Sequence, residues 1–292
     1  MAHGNTLFCF GIGYSAGVLA RQLLADGWRV AGTARTEEQA DRLRGAGIAA
    51  LPFERGRPLP AGTLAGVTHL LSSVPPDDQG DPVLDVHAAD IASVEGLRWV
   101  GYLSTTGVYG DWRGAWVDET SPLRPSLDRS WRRVYAETGW MDLWRHHGLP
   151  VHLFRLAGIY GPGRSAIDNV RQGKAQRIVK RGQVFSRIHV EDLAAVLRAS
   201  MAKPDPGAIY NVCDDDAAPP QTVVAYACEL LGVEPPPEVA YETAQLSAMA
   251  RSFYVDNKRV RNDRIKEELG VKFKYPTYRE GLRAILAAEA SP

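Results

Sequence analysis

One short stretch limits what this chain can fold into. Residues 6–10 form the apolar run Thr6-Leu7-Phe8-Cys9-Phe10, followed at once by Gly11-Ile12-Gly13-Tyr14-Ser15-Ala16-Gly17. Val18, Leu19, Gln22 and Leu23 then recur at helical spacing, and a second apolar run ends at Thr33. The first run suits a strand buried on both faces, and the spacing that follows suits a helix. Strand, tight glycine turn, helix and strand make the opening unit of a dinucleotide-binding parallel sheet. Gly11 permits a sharp reversal where a Cβ would clash. Gly13 lets backbone N–H groups approach a pyrophosphate. Ala16 stands where a third glycine is usual and is small enough for the helix to pack on the strand. The helix N-terminus, with Tyr14 and Ser15 in its first turn, offers N–H groups and a positive dipole end to the anion.

The end of the second strand selects the cofactor. An Asp or Glu there would bond a ribose 2′-hydroxyl, as NAD sites require. This chain has Thr33-Ala34-Arg35 instead. A guanidinium suits a 2′-phosphate, which a carboxylate would repel. The expected cofactor is therefore NADP(H), with NAD as the alternative. Glu37 and Glu38 lie close by, so a purely solvated Arg35 also stays open.

The alternation continues along the chain. A polar helix spans 37–44, and short strands are expected at Ile48–Leu51 and Val67–Ser73. Residues 52–66 are a Pro/Gly-rich connector. A helix around Val83–Val94 leads to a fifth strand over Arg98–Leu103. Such alternation demands a parallel sheet with right-handed crossovers. Ser72, at the end of the fourth strand, is placed with the cofactor contacts.

Composition supports a soluble enzyme-sized domain. The chain has 292 residues, with 34 Lys and Arg against 34 Asp and Glu, so its formal net charge is zero. That length accommodates one large α/β domain with an appended lobe. The charge balance argues against nucleic acid or an anionic membrane as a main partner. No run is long and apolar enough to span a bilayer, and no secretory signal is visible. Cys9, Cys213 and Cys228 are scattered without metal-ligand spacing. They read as buried thiols in a reducing compartment, which implies a cytoplasmic protein with no bound metal.

Three later stretches carry a family resemblance. Leu103-Ser104-Thr105-Thr106-Gly107-Val108-Tyr109-Gly110-Asp111 resembles the strand-five motif of extended short-chain dehydrogenases/reductases, the group of sugar-nucleotide epimerases and dehydratases. Residues 154–164, Phe-Arg-Leu-Ala-Gly-Ile-Tyr-Gly-Pro-Gly-Arg, resemble its strand-six signature. Arg187-Ile188-His189-Val190-Glu191-Asp192 resembles the signature opening its next helix, and Ile209–Val212 a final sheet strand. The resemblance implies an α/β fold: a Rossmann-type doubly wound parallel sheet with a smaller C-terminal substrate lobe. Residues 1–163 and 186–213 are assigned to the dinucleotide domain, and 164–185 and 214–292 to the lobe. It also implies a small-molecule substrate, anionic or a sugar nucleotide, and it allows a homodimer through the helices after strands four and five. Val255–Val260 resembles a segment on the nucleotide or substrate side.

The resemblance assigns Thr105 to hold the reacting oxygen, a role its hydroxyl can fill as donor or acceptor. Thr106 is its nearest rival. The family base is a Tyr with a Lys four residues later, which lowers the phenol pKa. Counting back from Glu137, which matches a family Glu, Arg129 occupies the Tyr position and Arg133 the Lys position. A guanidinium cannot act as a base near neutrality. Arg133 is therefore assigned to cofactor ribose or phosphate. Tyr135 is the one tyrosine on this helix, and Gly139 stands four residues on. It is either core or a displaced catalyst. His189 is a candidate proton shuttle or a residue orienting the helix start with Asp192. Arg164, Lys180, Arg181 and Arg187 are read either as an anion clamp or as a solvated basic face. Trp112, Trp116 and Trp131 are candidates to stack on a ligand ring, whereas Trp140 and Trp144, one turn apart, are packing.

Two functions follow. One is an NADP(H)-dependent oxidoreductase or epimerase/dehydratase-like enzyme acting on a polar carbonyl or alcohol, with Thr105, Tyr135 and His189 as catalytic candidates. The other is a non-catalytic NADP(H)-binding sensor or scaffold.

Overall fold

The computed structural model describes residues 4–289. Its centre is a seven-stranded parallel sheet. The elements, numbered for this sheet and its flanking helices, begin with β1 (Thr6–Phe10), α1 (Tyr14–Ala25), β2 (Arg29–Ala34), α2 (Glu37–Gly45) and β3 (Ala49–Pro52). They continue with β4 (His69–Ser72), α3 (Pro82–Ala92), β5 (Trp99–Thr105), α4 (Asp128–His147), β6 (Val151–Leu156), α5 (Val190–Ala202) and β7 (Ile209–Val212). The spatial order is β3-β2-β1-β4-β5-β6-β7. The order reverses between β1 and β4, which opens a crevice at the carboxyl ends of those strands.

Local sequence explains these elements. Every residue of β6 is buried, as expected of a parallel strand covered on both faces. Thr36 caps α2 by accepting the Gln39 N–H, while Glu37 and Glu38 open that helix and Arg42 and Arg44 close it, matching its dipole. Asp81 caps α3 through the N–H groups of Val83 (2.9 Å) and Leu84 (3.3 Å). Helix α4 stops at Gly148, whose φ of +66° few other residues accept. Phe8, Phe10, Leu70, Val100, Tyr102, Trp140 and Leu153 form one core. Each such fully buried large apolar side chain contributes roughly 1.5–3 kcal/mol. Trp140 is within this core, as expected, and its indole N–H donates to Asp81 at 2.9 Å.

Two compact units emerge. The first comprises Met1–Thr105, Leu127–Arg155 and Ala194–Tyr210, and the second Thr106–Ser126, Leu156–Leu193 and Asn211–Pro292. The second unit contains three small parallel strand pairs: Gly158–Tyr160 with Arg187–His189, Arg177–Val179 with Glu238–Ala240, and Trp116–Val117 with Arg259–Val260. Its core gathers Tyr160, Ile167, Val223, Ala227, Tyr278, Leu282 and Ile285. Apolar spacing over Val260–Leu269 suits a longer helix than the one present, Asp263–Glu267. The N–H groups of Arg259 and Arg261 instead donate to the carbonyls of Ala115 and Val117, which draws Val260 into a strand. Among the described residues all three cysteines are free and buried, and no helix is long and apolar enough to cross a membrane.

Candidate active site

The glycine turn is held by β2. The Gly11 N–H donates to Thr33 Oγ1 (2.8 Å) and the Ile12 N–H to the Thr33 carbonyl (2.7 Å). Gly11 has φ +80°, and the Ser73 hydroxyl donates to its carbonyl. Gly32 is a second steric requirement, which the motif does not announce. A Cβ there would overlap the Cys9 carbonyl and the Ile12 side chain. Gly13 differs from both: it is exposed, its φ is −98°, and a Cβ there would meet nothing within 4 Å. The chain itself does not need a glycine at 13. The space above it is open to a ligand approaching the backbone.

The start of α1 fits the same purpose. Gly13 is its N-cap and no side chain caps it, whereas side chains cap α2 and α3. Tyr14 and Ser15 lie in its first turn, half-buried, and Ala16 is fully enclosed. An uncapped helix start above a tight turn suits the diphosphate of a dinucleotide. Arg35, just beyond β2, is exposed and has no hydrogen-bond or ion-pair partner among the described residues. Its acidic neighbours are engaged elsewhere: Glu37 with Arg44 at 2.6 Å and Glu38 with Arg42. At the end of β4 the Ser72 hydroxyl is buried and has no partner among the described residues.

At the end of β5 a buried network fixes the frame. The Ser104 hydroxyl donates to Glu137 Oε1 at 2.5 Å, and Arg155 Nη2 donates to Glu137 Oε2 at 2.8 Å. Successive side chains of a strand point to opposite faces, so Thr105 projects away from this anchor. Thr105 is half-buried and ends the strand, and Thr106 opens a 3-10 turn to Tyr109. Sequence reasoning matched Glu137 to a family position but missed its pairing with Arg155, because the two residues meet only in the fold.

Helix α4 separates its candidates. Arg133 donates to the Leu103 carbonyl at 2.6 Å and lies over the Tyr102 ring. It thus ties α4 to β5, with further guanidinium donors left for a ligand. Tyr135 is two residues on, about 200° around the helix. It is 69% exposed and stacks on Trp131, with ring centres 6.1 Å apart. The expectation that Tyr135 is core is therefore corrected: it faces solvent, away from the side that Arg133 lays on β5.

His189 belongs to the second unit. It is buried, its ring edge-on to Tyr160 and 4.0 Å from Tyr275 between centres. Its Nδ1 accepts the Glu191 N–H at 3.2 Å. Burial pushes its pKa down to about 4, so the ring is neutral near pH 7 and poorly matched to proton shuttling there. Asp192 accepts the N–H groups of Lys274 (2.8 Å) and Tyr275 (2.9 Å). The geometry is that of residues organising a helix start. The four basic residues do not make one clamp either. Arg187 turns inward to the carbonyls of Phe185 and Ala218, and Lys180 to that of Tyr254, while Arg164 and Arg181 are exposed. Trp112 and Trp116 already carry Arg124 and Arg261 over their rings.

A family model described as the NAD dependent epimerase/dehydratase family matches residues 83–213. The match takes in 131 of the 292 residues, and over them the chain resembles that family. A solved structure of a conserved protein of unknown function from Silicibacter pomeroyi is 56% identical, covering 97% of this chain and 99% of its own, with a TM-score of 0.91. Protein YeeZ of Escherichia coli K12 is 27% identical over 278 residues, 91% of this chain and 94% of its own length. A UDP-glucuronic acid 4-epimerase from Bacillus cereus, solved with UDP-glucuronic acid and NAD, is 14% identical. It covers 97% of this chain and 98% of its own, with a TM-score of 0.79, and shares the fold. In an open parallel sheet the carboxyl ends of the strands are the place to seek function, and Gly11, Gly13, Arg35, Ser72 and Thr105 all sit at those of β1, β2, β4 and β5.

Proposed function

We propose that this protein is an NADP(H)-dependent oxidoreductase or epimerase/dehydratase-like enzyme acting on a polar carbonyl or alcohol. One observation carries the nucleotide site: an uncapped α1 above Gly13, whose Cβ direction is empty. Gly11, Gly13, Tyr14 and Ser15 hold the diphosphate, with Ser72 and Arg133 as further cofactor contacts. The bound nicotinamide would supply or accept hydride. Thr105, facing away from the Ser104 anchor, orients the reacting oxygen. The NAD named with the related epimerase supports a nicotinamide dinucleotide, and the unpartnered Arg35 favours the 2′-phosphate form. The UDP-sugar named there supports a sugar nucleotide as the first substrate class to try. Residues 164–185 and 214–292 serve as the substrate lobe, and a homodimer through α3 and α4 would cover Trp131 and Tyr135.

A second reading is a non-catalytic NADP(H) sensor. The outward-facing Tyr135 favours it, together with arginines at the two positions where the family carries its Tyr and Lys. The two readings separate in one experiment. The pure protein is incubated with stereospecifically labelled NADPH and a panel of sugar nucleotides and aldehydes. Stereospecific loss of label supports the enzyme. Tight binding without label loss across the panel overturns it in favour of the sensor, and no binding of either dinucleotide overturns both.

A further inference from the structure

Within the first unit, the crevice between β1 and β4 has two walls. One is the glycine turn, fastened by Thr33. The other is the loop from Ser73 to Asp81, which joins β4 to α3. The two ends of this loop are fixed. The Ser73 N–H donates to the Phe10 carbonyl at 2.9 Å and its hydroxyl to the Gly11 carbonyl, so the loop starts on the glycine turn itself. Val74 leans over the same point: a Cβ on Gly11 would lie 3.0 Å from Val74 Cγ2. At the other end Asp81 caps α3.

Between these ends the loop holds itself only weakly. Pro75 and Pro76 have no N–H to donate. The Asp77 N–H donates to the Gly80 carbonyl (2.9 Å) and the Gln79 N–H to Asp77 Oδ1 (2.8 Å), both inside the loop. Among the described residues, every hydrogen bond and ion pair that reaches residues 74–80 from elsewhere in the chain comes from one side chain, Arg55. Its Nη2 donates to Asp77 Oδ1 at 2.8 Å and to the Gly80 carbonyl at 3.4 Å, and its Nη1 donates to Asp85 in the first turn of α3. Arg55 itself has a firm base just beyond β3. The Phe53 N–H donates to the Ala34 carbonyl (2.9 Å), the buried Phe53 ring stands edge-on to Phe10, and the Arg57 N–H closes a turn on the Glu54 carbonyl (2.9 Å). The Arg55 side chain is 25% exposed, against 73% for Arg42, whose single pair with Glu38 stands in solvent. Desolvation would raise the Asp77 pKa, but the Gln79 N–H and the Arg55 guanidinium hold it below its ordinary value, so the carboxylate is charged near neutrality.

We propose that Arg55 is a positioning residue of the nucleotide site: from the end of β3 it buckles the β4–α3 loop against the glycine turn, so that both walls of the crevice are set before a dinucleotide arrives. The proposal rests on the nucleotide reading above and adds to it a residue that acts through Asp77, Gly80 and Asp85 rather than on the ligand. A wall already in place spares the ligand the entropy of ordering it. Without the guanidinium, residues 75–80 keep only their internal turn, and binding must include the cost of fixing them.

The test compares the full chain with R55A, the double variant D77N/D85N and the combination of all three. Amide exchange is followed in the free protein, and NADPH is titrated by calorimetry. In R55A the Asp77 and Gln79 amides are expected to exchange at least tenfold faster, with β1 and β4 unchanged. The melting temperature should stay within a few degrees, since partly exposed ion pairs add little to global stability. NADPH affinity is expected to fall at least fivefold. D77N keeps an Oδ1 to accept the Gln79 N–H, and D77N/D85N removes two negative charges. By its field alone that change would tighten an anionic ligand; loss of the buckle should instead weaken binding as R55A does. The combination should lose no more than R55A. Unchanged loop exchange or unchanged NADPH affinity in R55A overturns the proposal, as does tighter binding by D77N/D85N. A melting temperature lowered by ten degrees or more in R55A overturns it in favour of a general role in the fold. A further full loss when R55A is added to D77N/D85N overturns it in favour of direct contact with the ligand. A parent protein that binds neither NADPH nor NADH overturns the nucleotide reading itself, a separate failure seen before any variant is made.

Discussion

The glycine turn and the β5–α4 region lie in the same unit and differ in how they keep their family pattern. In the turn, backbone does the work, so Gly11, Gly13 and Ala16 retain the required sizes and Thr33 fastens the loop from below. In α4, side chains would do the chemistry, and counting back from Glu137 sets Arg129 and Arg133 where the resemblance expects a Tyr and a Lys. The frame beneath them is nevertheless intact: Ser104, Glu137 and Arg155 lock α4 to the sheet. A binding function expressed through main chain can persist while a chemical function expressed through side chains is replaced.

The largest predicted effect breaks the frame. Glu137→Gln leaves Arg155 as a buried charge without its carboxylate, which should cost about 3–5 kcal/mol of stability in urea unfolding. A loss below about 1 kcal/mol would mean that the network does not anchor α4. Gly32→Ala should follow at roughly 1–3 kcal/mol, because the new Cβ meets the Cys9 carbonyl and Ile12. Gly13→Val sharpens the contrast with Gly32. It should leave the melting temperature within a few degrees of the parent, yet weaken dinucleotide binding at least tenfold, about 1.4 kcal/mol by calorimetry. Equal losses of stability at 13 and 32 would show that the open space at Gly13 has no bearing on a ligand. Arg35→Asp should shift preference from NADPH towards NADH by about tenfold, and unchanged NADPH affinity would remove Arg35 from cofactor selection.

The smallest effect is acid sensitivity. Burial pushes His69, His152 and His189 each down to about 4. Their folded pKa values lie below the unfolded value near 6.5, so the unfolded chain binds more protons between those limits. Stability should be full above about pH 6.5 and fall as pH drops towards 4. A flat denaturation midpoint across that window would show that these rings are not held neutral.

The glycine turn, the strand–helix alternation and the final strand at Ile209–Val212 were legible because each depends on residues close in sequence. The steric demand at Gly32 was not, because its neighbour is a carbonyl on β1, 23 residues earlier. Nor was the Glu137–Arg155 pair, since neither spacing nor periodicity reports which buried charges meet. Tyr135 shows the limit of counting along a helix: spacing separates it from Arg133 by about 200°, but only the contact of Arg133 with Leu103 says which face is turned to the sheet. His189 was legible as a helix-opening residue, whereas its enclosure by Tyr160 and Tyr275 needed the assembled second unit.

Glu137 stands four residues beyond Arg133 and eight beyond Arg129, so the three share one side of α4. Installing a tyrosine and a lysine at positions 129 and 133 removes the Arg133 tie to the Leu103 carbonyl and leaves the Glu137–Arg155 pair to hold the register. The protein is a host in which a Tyr–Lys style of proton transfer can be installed and its worth measured directly.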